Sequence, residues 1–237
     1  MSEKNQFGQL VGDLIADWHP RKKPIADSMV GKYCVLEPLN INQHAAALFQ
    51  ALQVDNPQVS WTYLPYGPFA TFDAFHQQLQ KMVAEKDNFF YAVLNKTTHF
   101  PLGICGYINI NSEHGSIEVG HIHFSKALKK TAIATEAMYL MMRNVFETLQ
   151  YRRYEWKCNA LNQASCAAAL RLGFKFEGIF RKHYVFKNRN RDTVWFSVID
   201  EEWPLLKTRF EQWLDPKNFD GNGQQILALQ ECGAEKA

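Results

Sequence analysis

The sequence predicts a single α/β (α+β) domain with a mixed, largely antiparallel central sheet flanked by helices. Three observations carry that prediction. Apolar runs of strand length follow one another at Phe89–Leu94, Ile104–Ile110 and Ile117–Phe124. They are divided by Asn95-Lys96-Thr97-Thr98 and Ser112-Glu113-His114-Gly115, turn-forming stretches that make the three runs an antiparallel meander. Helical periodicity lies on both sides of the meander without strict alternation of strand and helix, which disfavours a doubly wound parallel sheet. The chain has 237 residues, 46% hydrophobic and 14% aromatic, which is ample for one large core and excludes a disordered chain.

Residues 1–30 read as an arm: a short helix, then a segment packed on the body near Trp18-His19-Pro20, with Arg21-Lys22-Lys23 as solvated surface. Tyr33–Pro38 is a strand closed by proline. Asn40 caps a helix that runs to Leu52, with Ala45, Leu48, Phe49 and Leu52 on one face. Trp61–Pro68 holds two prolines and a glycine and reads as a loop. Thr71 opens a second helix to Lys86. After the meander, Ile133, Ala137, Leu140, Met141, Val145 and Leu149 recur at helical spacing within Thr131–Leu149. Arg153–Cys158 is a strand, and Asn162–Arg171 is a short alanine-rich helix closed by Gly173. Phe174–Phe180 and Thr193–Ile199 are strands on either side of the polar turn Lys187–Arg191. An amphipathic helix at Pro204–Leu214 precedes a Gly/Asn-rich turn and a frayed end.

Charge and cysteine usage narrow the function classes. Lysine and arginine total 26 against 24 acidic residues, a formal net charge of +2. That balance gives no bulk attraction to nucleic acid or to an anionic membrane. The opening MSEKNQFGQL lacks the basic start and apolar core of a signal peptide. No apolar run approaches the ~20 residues that span a bilayer. Cys34, Cys105, Cys158, Cys166 and Cys232 are odd in number and form no CxxC pair, so they read as reduced thiols of a cytoplasmic protein.

The chemistry concentrates between Ile117 and Trp203. Lys129-Lys130-Thr131-Ala132-Ile133-Ala134-Thr135 leads into the long helix. A helix N-terminus offers unpaired N–H groups and a positive dipole end, and small residues let an anion approach, so this stretch reads as a pyrophosphate cradle. Further on, Asn162 and Ser165 begin the next helix. Two parallel strands that splay apart can hold the amide arm of a cofactor as another strand would, with these two side chains adding hydrogen bonds. Trp61, Tyr63 and Tyr66 in the aromatic loop read either as a wall of the substrate cleft or as plain core packing.

The segments that carry these features are Glu118-Val119-Gly120-His121, Ala134-Thr135-Glu136-Ala137, Asn162-Gln163-Ala164-Ser165, Leu172-Gly173-Phe174 with Glu177-Gly178, and Asp192 through Ser197 to Glu202-Trp203. Together they resemble the GNAT superfamily of acetyl-CoA-dependent N-acyltransferases, in its RimJ/RimL-like branch, which acetylates ribosomal-protein N-termini and other amines. The resemblance covers about residues 31–205. It implies a GNAT-like domain there with a splayed sheet, an arm at 1–30, and a C-terminal helix and tail at 206–237 packed on or extending from the core. One loop departs from the branch pattern R-G-x-G-x-A. Lysine stands for the arginine at Lys129, and Lys130 and Ala132 occupy the two glycine positions. Neither residue takes a positive φ cheaply. A helix that simply starts at this point makes the alanine harmless and leaves both lysines to meet phosphates.

The resemblance implies transfer of an acetyl group from acetyl-CoA to a primary amine, either a protein N-terminus or a small molecule, by direct attack. The alternative is a non-catalytic acyl-CoA-binding module on the same scaffold. A lysine amine with pKa ~10.4 costs about 4–5 kcal/mol to deprotonate at pH ~7, and an α-amine about 1, so a general base is useful. Glu118 is the first candidate, at the position where other branches carry a catalytic glutamate. Structural bonding to a neighbour is its competing role. His121 and His123 are the alternative bases. They share one strand face, and Glu118 faces away from His121 unless a bulge intervenes. The resemblance places Ser165 near the CoA sulfur as a proton donor, with Asn162 and the backbone of Ile122, His123 and Phe124 along pantetheine. No third ligand accompanies the two histidines, so no metal is expected. The extensions offer a homodimer contact, and no membrane partner is expected. RNA binding through Arg181, Lys182, Lys187, Arg189 and Arg191 ranks third.

Overall fold

The computed structural model describes residues 3–53 and 57–233. Its strands are β1 (Glu3–Lys4), β2 (Leu10–Val11), β3 (Met29–Val30), β4 (Cys34–Pro38), β5 (Phe89–Asn95), β6 (Pro101–Asn111), β7 (Ser116–Phe124), β8 (Arg153–Asn159), β9 (Lys175–Phe186) and β10 (Arg189–Ile199). Its α-helices are α1 (Ile41–Leu52), α2 (Pro57–Ser60), α3 (Phe72–Ala84), α4 (Ala132–Arg143), α5 (Gln163–Arg171) and α6 (Trp203–Trp213). The main sheet has eight strands in the order β3-β4-β5-β6-β7-β8-β10-β9. Only the β7–β8 pair is parallel.

Local chemistry sets the helix starts. Asn40, Thr71, Thr131 and Asn162 each accept a hydrogen bond from the backbone N–H three residues on, which satisfies one of the unpaired donors at each helix start. The helix expected over Thr131–Leu149 is not uniform. Tyr107 on β6 donates its hydroxyl to the Met141 carbonyl at 2.7 Å and receives Asn144 Nδ2 at 3.3 Å. The Met141 carbonyl thus accepts a side-chain hydroxyl as well as the Asn144 N–H, and the coil widens to a π turn over Asn144–Thr148.

The sheet separates two apolar layers. Cys34, Leu36, Tyr91, Val93, Tyr107, Ile117 and Val119 pack with α4 and α6. Phe90, Ala92, Leu94 and Ile104 pack on the opposite face with Leu48, Phe75 and Leu79 of α1 and α3. Strand β5 is therefore buried on both faces. On that second face the part over β8 and β10 carries Arg153, Glu155, Lys157, Trp195 and Ser197, a polar floor.

Three expectations need correction. The N-terminal arm forms the β1–β2 hairpin instead of a short helix, with Gly8 at φ 77 in its turn. The turn placed at Lys187–Arg191 shrinks to Lys187 and Asn188, both at positive φ, the geometry of a two-residue hairpin whose twist suits its flanking strands. Strands β9 and β10 are correspondingly longer than the apolar runs. The tail is not frayed through residue 233: Leu229 and Cys232 lie in the main core, while 234–237 fall outside the described residues. The arm does meet the body at Trp18, whose indole donates to the Glu113 carbonyl at 2.9 Å.

Candidate active site

The site begins where β7 and β8 part. They pair from Ser116/Arg153 to Val119/Trp156 and no further. Beyond that point β7 stays bonded to β6, through Gly103/Phe124 and Ile104/His123. The β7 edge that faces β8 from Gly120 to Phe124, including Ile122 and His123, therefore has no ladder partner. A β-bulge drives the parting: the β6–β7 register shifts between Ile104 and Gly106, and His121 sits at φ 52. Gly120 beside it packs closely on Ile108, where a Cβ would lie 2.3 Å from Ile108 Cδ1.

The mouth of the fork opens toward two helix starts. At α4, Thr131 Oγ1 takes the Ala134 N–H at 3.2 Å and donates to the Leu128 carbonyl at 2.7 Å. Helix geometry leaves the N–H groups of Ala132 and Ile133 without intrahelical acceptors. The lysine-for-glycine departure divides in two. Lys130 does adopt the left-handed region, at φ 62, a conformation that costs roughly 1–2 kcal/mol for a side chain with a Cβ. Ala132 is the first residue of α4 and carries no such strain. At α5, Asn162 caps the helix through Ser165 N. The Ser165 hydroxyl oxygen accepts Trp156 Nε1–H at 3.0 Å, and the hydroxyl also hydrogen-bonds the Cys158 sulfur. Cys158 and Cys166 flank it, with sulfurs 3.5 Å apart.

The motif glutamate Glu136 has a structural task. Its carboxylate accepts the backbone N–H groups of Lys32, Tyr33 and Cys34 at 2.6, 2.6 and 2.8 Å, tying the helix that follows the cradle to the start of β4. Thr135, beside it, receives a hydrogen bond from Arg171 at 3.1 Å, so its side chain joins α4 to α5.

Glu118 lies on β7 just before the bulge, 5% exposed. Lys157 Nζ at 2.9 Å and Asn109 Nδ2 at 2.6 Å both bond its Oε2. Oε1 has no hydrogen-bond partner among the described residues. Burial raises the Glu118 pKa above its ordinary 4.5, and Lys157 and Asn109 restrain the rise. A carboxylate made more basic by burial, with one oxygen open, is suited to accept a proton.

The bulge also turns His121 and His123 toward the second apolar layer. His121 stacks on Tyr66 and bonds its hydroxyl through Nδ1 at 2.8 Å. His123 packs edge-on to Trp61 at 3.9 Å and meets Ser60 Oγ at 3.2 Å. Burial, aided by Lys129, lowers the His123 pKa from 6.5 to about 3, so it is a poor base. Stability should therefore fall with acid. Below about pH 6.5 the unfolded chain binds a proton that native His123 refuses, and the loss grows by about 1.4 kcal/mol per pH unit down to the folded pKa. His123→Gln should flatten that slope in urea titrations between pH 6.5 and 4.5. An unchanged slope would place the acid sensitivity elsewhere.

The aromatic loop divides by residue. Trp61 is buried at 2% and packs on Phe69 and Phe75. Its ring supports the wall from behind instead of forming its surface, because these neighbours enclose it. Tyr63 crosses to the far side of the fork and donates to the Leu161 carbonyl at 3.0 Å. Lys187 at the β9–β10 tip reaches back to the Trp61 carbonyl at 2.8 Å. Sequence reasoning missed Asn109, Lys157 and Trp195, and took Arg191 only as a candidate RNA contact; all four come to the Glu118 side of the fork from other strands. Alternation on β8 and β10 is the signal that could have found Lys157 and Trp195. No group of three His, Cys, Asp or Glu side chains placed to hold a metal occurs among the described residues.

An open β-strand edge between two parting parallel strands, a helix N-terminus at its mouth and a basic carboxylate beside it define an acyl-group-transfer scaffold. The chain matches the family profile described as "Acetyltransferase (GNAT) domain" over residues 34–175. It belongs to the GNAT acetyltransferase family. A GCN5-related N-acetyltransferase from Brucella melitensis is 44% identical, with a TM-score of 0.90 over 92% of this chain and 98% of that one. A protein from Chromobacterium violaceum, described as a probable GNAT-family acetyltransferase, is also 44% identical, with a TM-score of 0.77 over 82% of this chain and 96% of that one. A curated relative, the uncharacterized N-acetyltransferase p20 of Bacillus licheniformis, is 28% identical over 117 residues, 48% of this chain. The match spans 63% of that relative's length.

Proposed function

We propose that this chain is an acetyl-CoA-dependent N-acetyltransferase of the RimJ/RimL-like branch, working in the cytoplasm on a primary amine by direct attack. The observation that carries the reading is the unpartnered β7 edge ending beside Glu118. Acetyl-CoA, when bound, supplies the activated acetyl group. The backbone of Ile122, His123 and Phe124 aligns its amide arm as a strand would be aligned. The N–H groups of Ala132 and Ile133, with Lys129 and Lys130 near them, meet the pyrophosphate. Glu118 Oε1 accepts the proton of the attacking amine, directly or through water. Ser165 gives its hydroxyl proton toward the departing sulfur, held in place by the Trp156 indole. The cysteines at 34, 105, 158, 166 and 232 are all free, which suits a reducing compartment.

Calorimetric titration with CoA tests the cradle. Ala134 lies in the first turn of α4, where an added carboxylate would oppose the incoming phosphates. Ala134→Glu should weaken CoA binding by more than 100-fold while leaving the far-UV circular dichroism unchanged. Absence of CoA binding by the parent protein would overturn the reading. Binding without transfer to any amine would favour an acyl-CoA-sensing module.

A further inference from the structure

The polar floor over β8 and β10 is an ordered charge network with one member left over. Lys157 Nζ bonds Glu118 and Glu155, each at 2.9 Å. Arg153 bonds Glu155 at 2.7 Å and Glu177 at 2.7 Å, and Ser197 donates to Glu177 at 2.6 Å. Each of these carboxylates therefore has its cation. Arg191 stands outside the network. Its guanidinium lies 4.6 Å over the Phe186 ring and 5.5 Å over Tyr184, and no salt bridge holds it among the described residues. Its electrostatic reach includes Glu118, while burial pushes its pKa down.

The same hairpin gathers unsatisfied donors. Of the nine buried side-chain polar atoms without a partner among the described residues, four are His183 Nδ1, Arg191 Nε, Thr193 Oγ1 and Trp195 Nε1. Buried donors without acceptors are costly, and a cluster of them calls for an explanation. Around them the rings of Phe180, His183 and Trp195 lie 4.6 to 6.0 Å apart. Lys157 Nζ sits 3.9 Å over Trp195, which joins this apolar patch to the Glu118 network. Of the hairpin's cations, Arg191 lies over rings and Lys187 is bonded to the Trp61 carbonyl, whereas Arg181, Lys182 and Arg189 are exposed.

We propose that the acceptor is an amine that also carries a carboxylate, with the carboxylate held by Arg191 and the amine presented to Glu118. The inference rests on the acetyltransferase reading and adds the chemical class of the acceptor: a zwitterionic amino acid or short peptide. Arg191 supplies the missing charge partner in fork geometry. Phe180 and Tyr184 flank the body of the acceptor. The unpaired Arg191 cation then gains a charge partner, while Lys157 favours the ionised form of Glu118.

The test compares matched acceptors, each amino acid or dipeptide against its carboxamide, with polyamines and aminoglycosides as a third set, following thiol release from acetyl-CoA. The parent protein should favour the acids at least tenfold in kcat/KM, with the difference in KM. Arg191→Gln should cost the acids at least tenfold more in kcat/KM than the amides, bringing the two sets to the same level. Arg189→Gln should change neither set. Equal use of acids and amides, preference for the cations, or an equal loss of both sets in Arg191→Gln would overturn the proposal. The parent protein's own acid-to-amide ratio decides the matter if that variant does not fold. Where no acceptor turns over, binding of N-acetylated acids against N-acetylated amides is measured by calorimetry, and no preference for the acids overturns it. Failure to bind acetyl-CoA would sink the acetyltransferase reading itself, whereas vigorous transfer to neutral amines would sink only the acceptor class.

Discussion

Glu118→Gln should lower kcat by roughly 10²–10⁴-fold, the span that a positioned general base supplies. Glutamine keeps the shape of the side chain and can still accept from Asn109 and Lys157, but it cannot take a proton. The pH–rate profile separates this role from a structural one. In the parent protein kcat/KM should fall as pH drops through the Glu118 pKa, which lies above 4.5 because of burial. The acceptor amine's own titration gives a second acidic limb at higher pH in both proteins, and the limb set by Glu118 should vanish in the variant. A variant with reduced rate and that lower limb intact would assign Glu118 to holding Lys157 in place and return the base to another group.

Glu136→Ala should cause the largest loss of stability, about 3–5 kcal/mol. One carboxylate receives three backbone N–H groups at the start of β4, and each donor stranded by its removal costs roughly 1–3 kcal/mol. Space offers no relief, since a Cβ on Gly31 would lie 2.3 Å from the Glu136 carboxylate and the backbone is already closed around it. The urea midpoint should drop by about 1–2 M with little change in slope. Glu136→Gln, which keeps one acceptor oxygen, should lose about half as much. A loss below about 1 kcal/mol in the alanine variant would mean that water or a shifted strand satisfies those donors.

The contrast between Glu118 and Glu136 shows what a sequence exposes. Helix starts were legible because their chemistry is local: Asn40, Thr71, Thr131 and Asn162 lie three residues from the N–H groups they cap. The β5–β6–β7 meander was legible for the same reason, with turn residues between apolar runs. The bulge at His121 was anticipated only as a condition, because it lies in the β6–β7 register, which the local sequence does not carry. Lys157, Asn109 and Arg191 reach the Glu118 side of the fork through register and strand order, which no spacing in the chain reveals. The long β9–β10 hairpin hid behind its own charge: Lys-Asn in place of Asn-Gly made a tight turn look like a solvated loop. Trp61 was read either as cleft wall or as core packing, and its burial against Phe69 and Phe75 matches the packing alternative.

The Glu136 tie also has a schedule. Its carboxylate and the Cys34 N–H are 102 residues apart in the chain. At a synthesis rate of about 5–20 residues per second, β4 waits roughly 5–20 s on the ribosome before its anchor is made. Until then the first long strand of the sheet has three unclaimed amides, and the helix that follows the cradle has not been made. Completion of the sheet's N-terminal edge and arrival of that helix thus become one event in the life of the chain. A nascent chain interrupted before residue 136 would present an open sheet edge to chaperones and proteases.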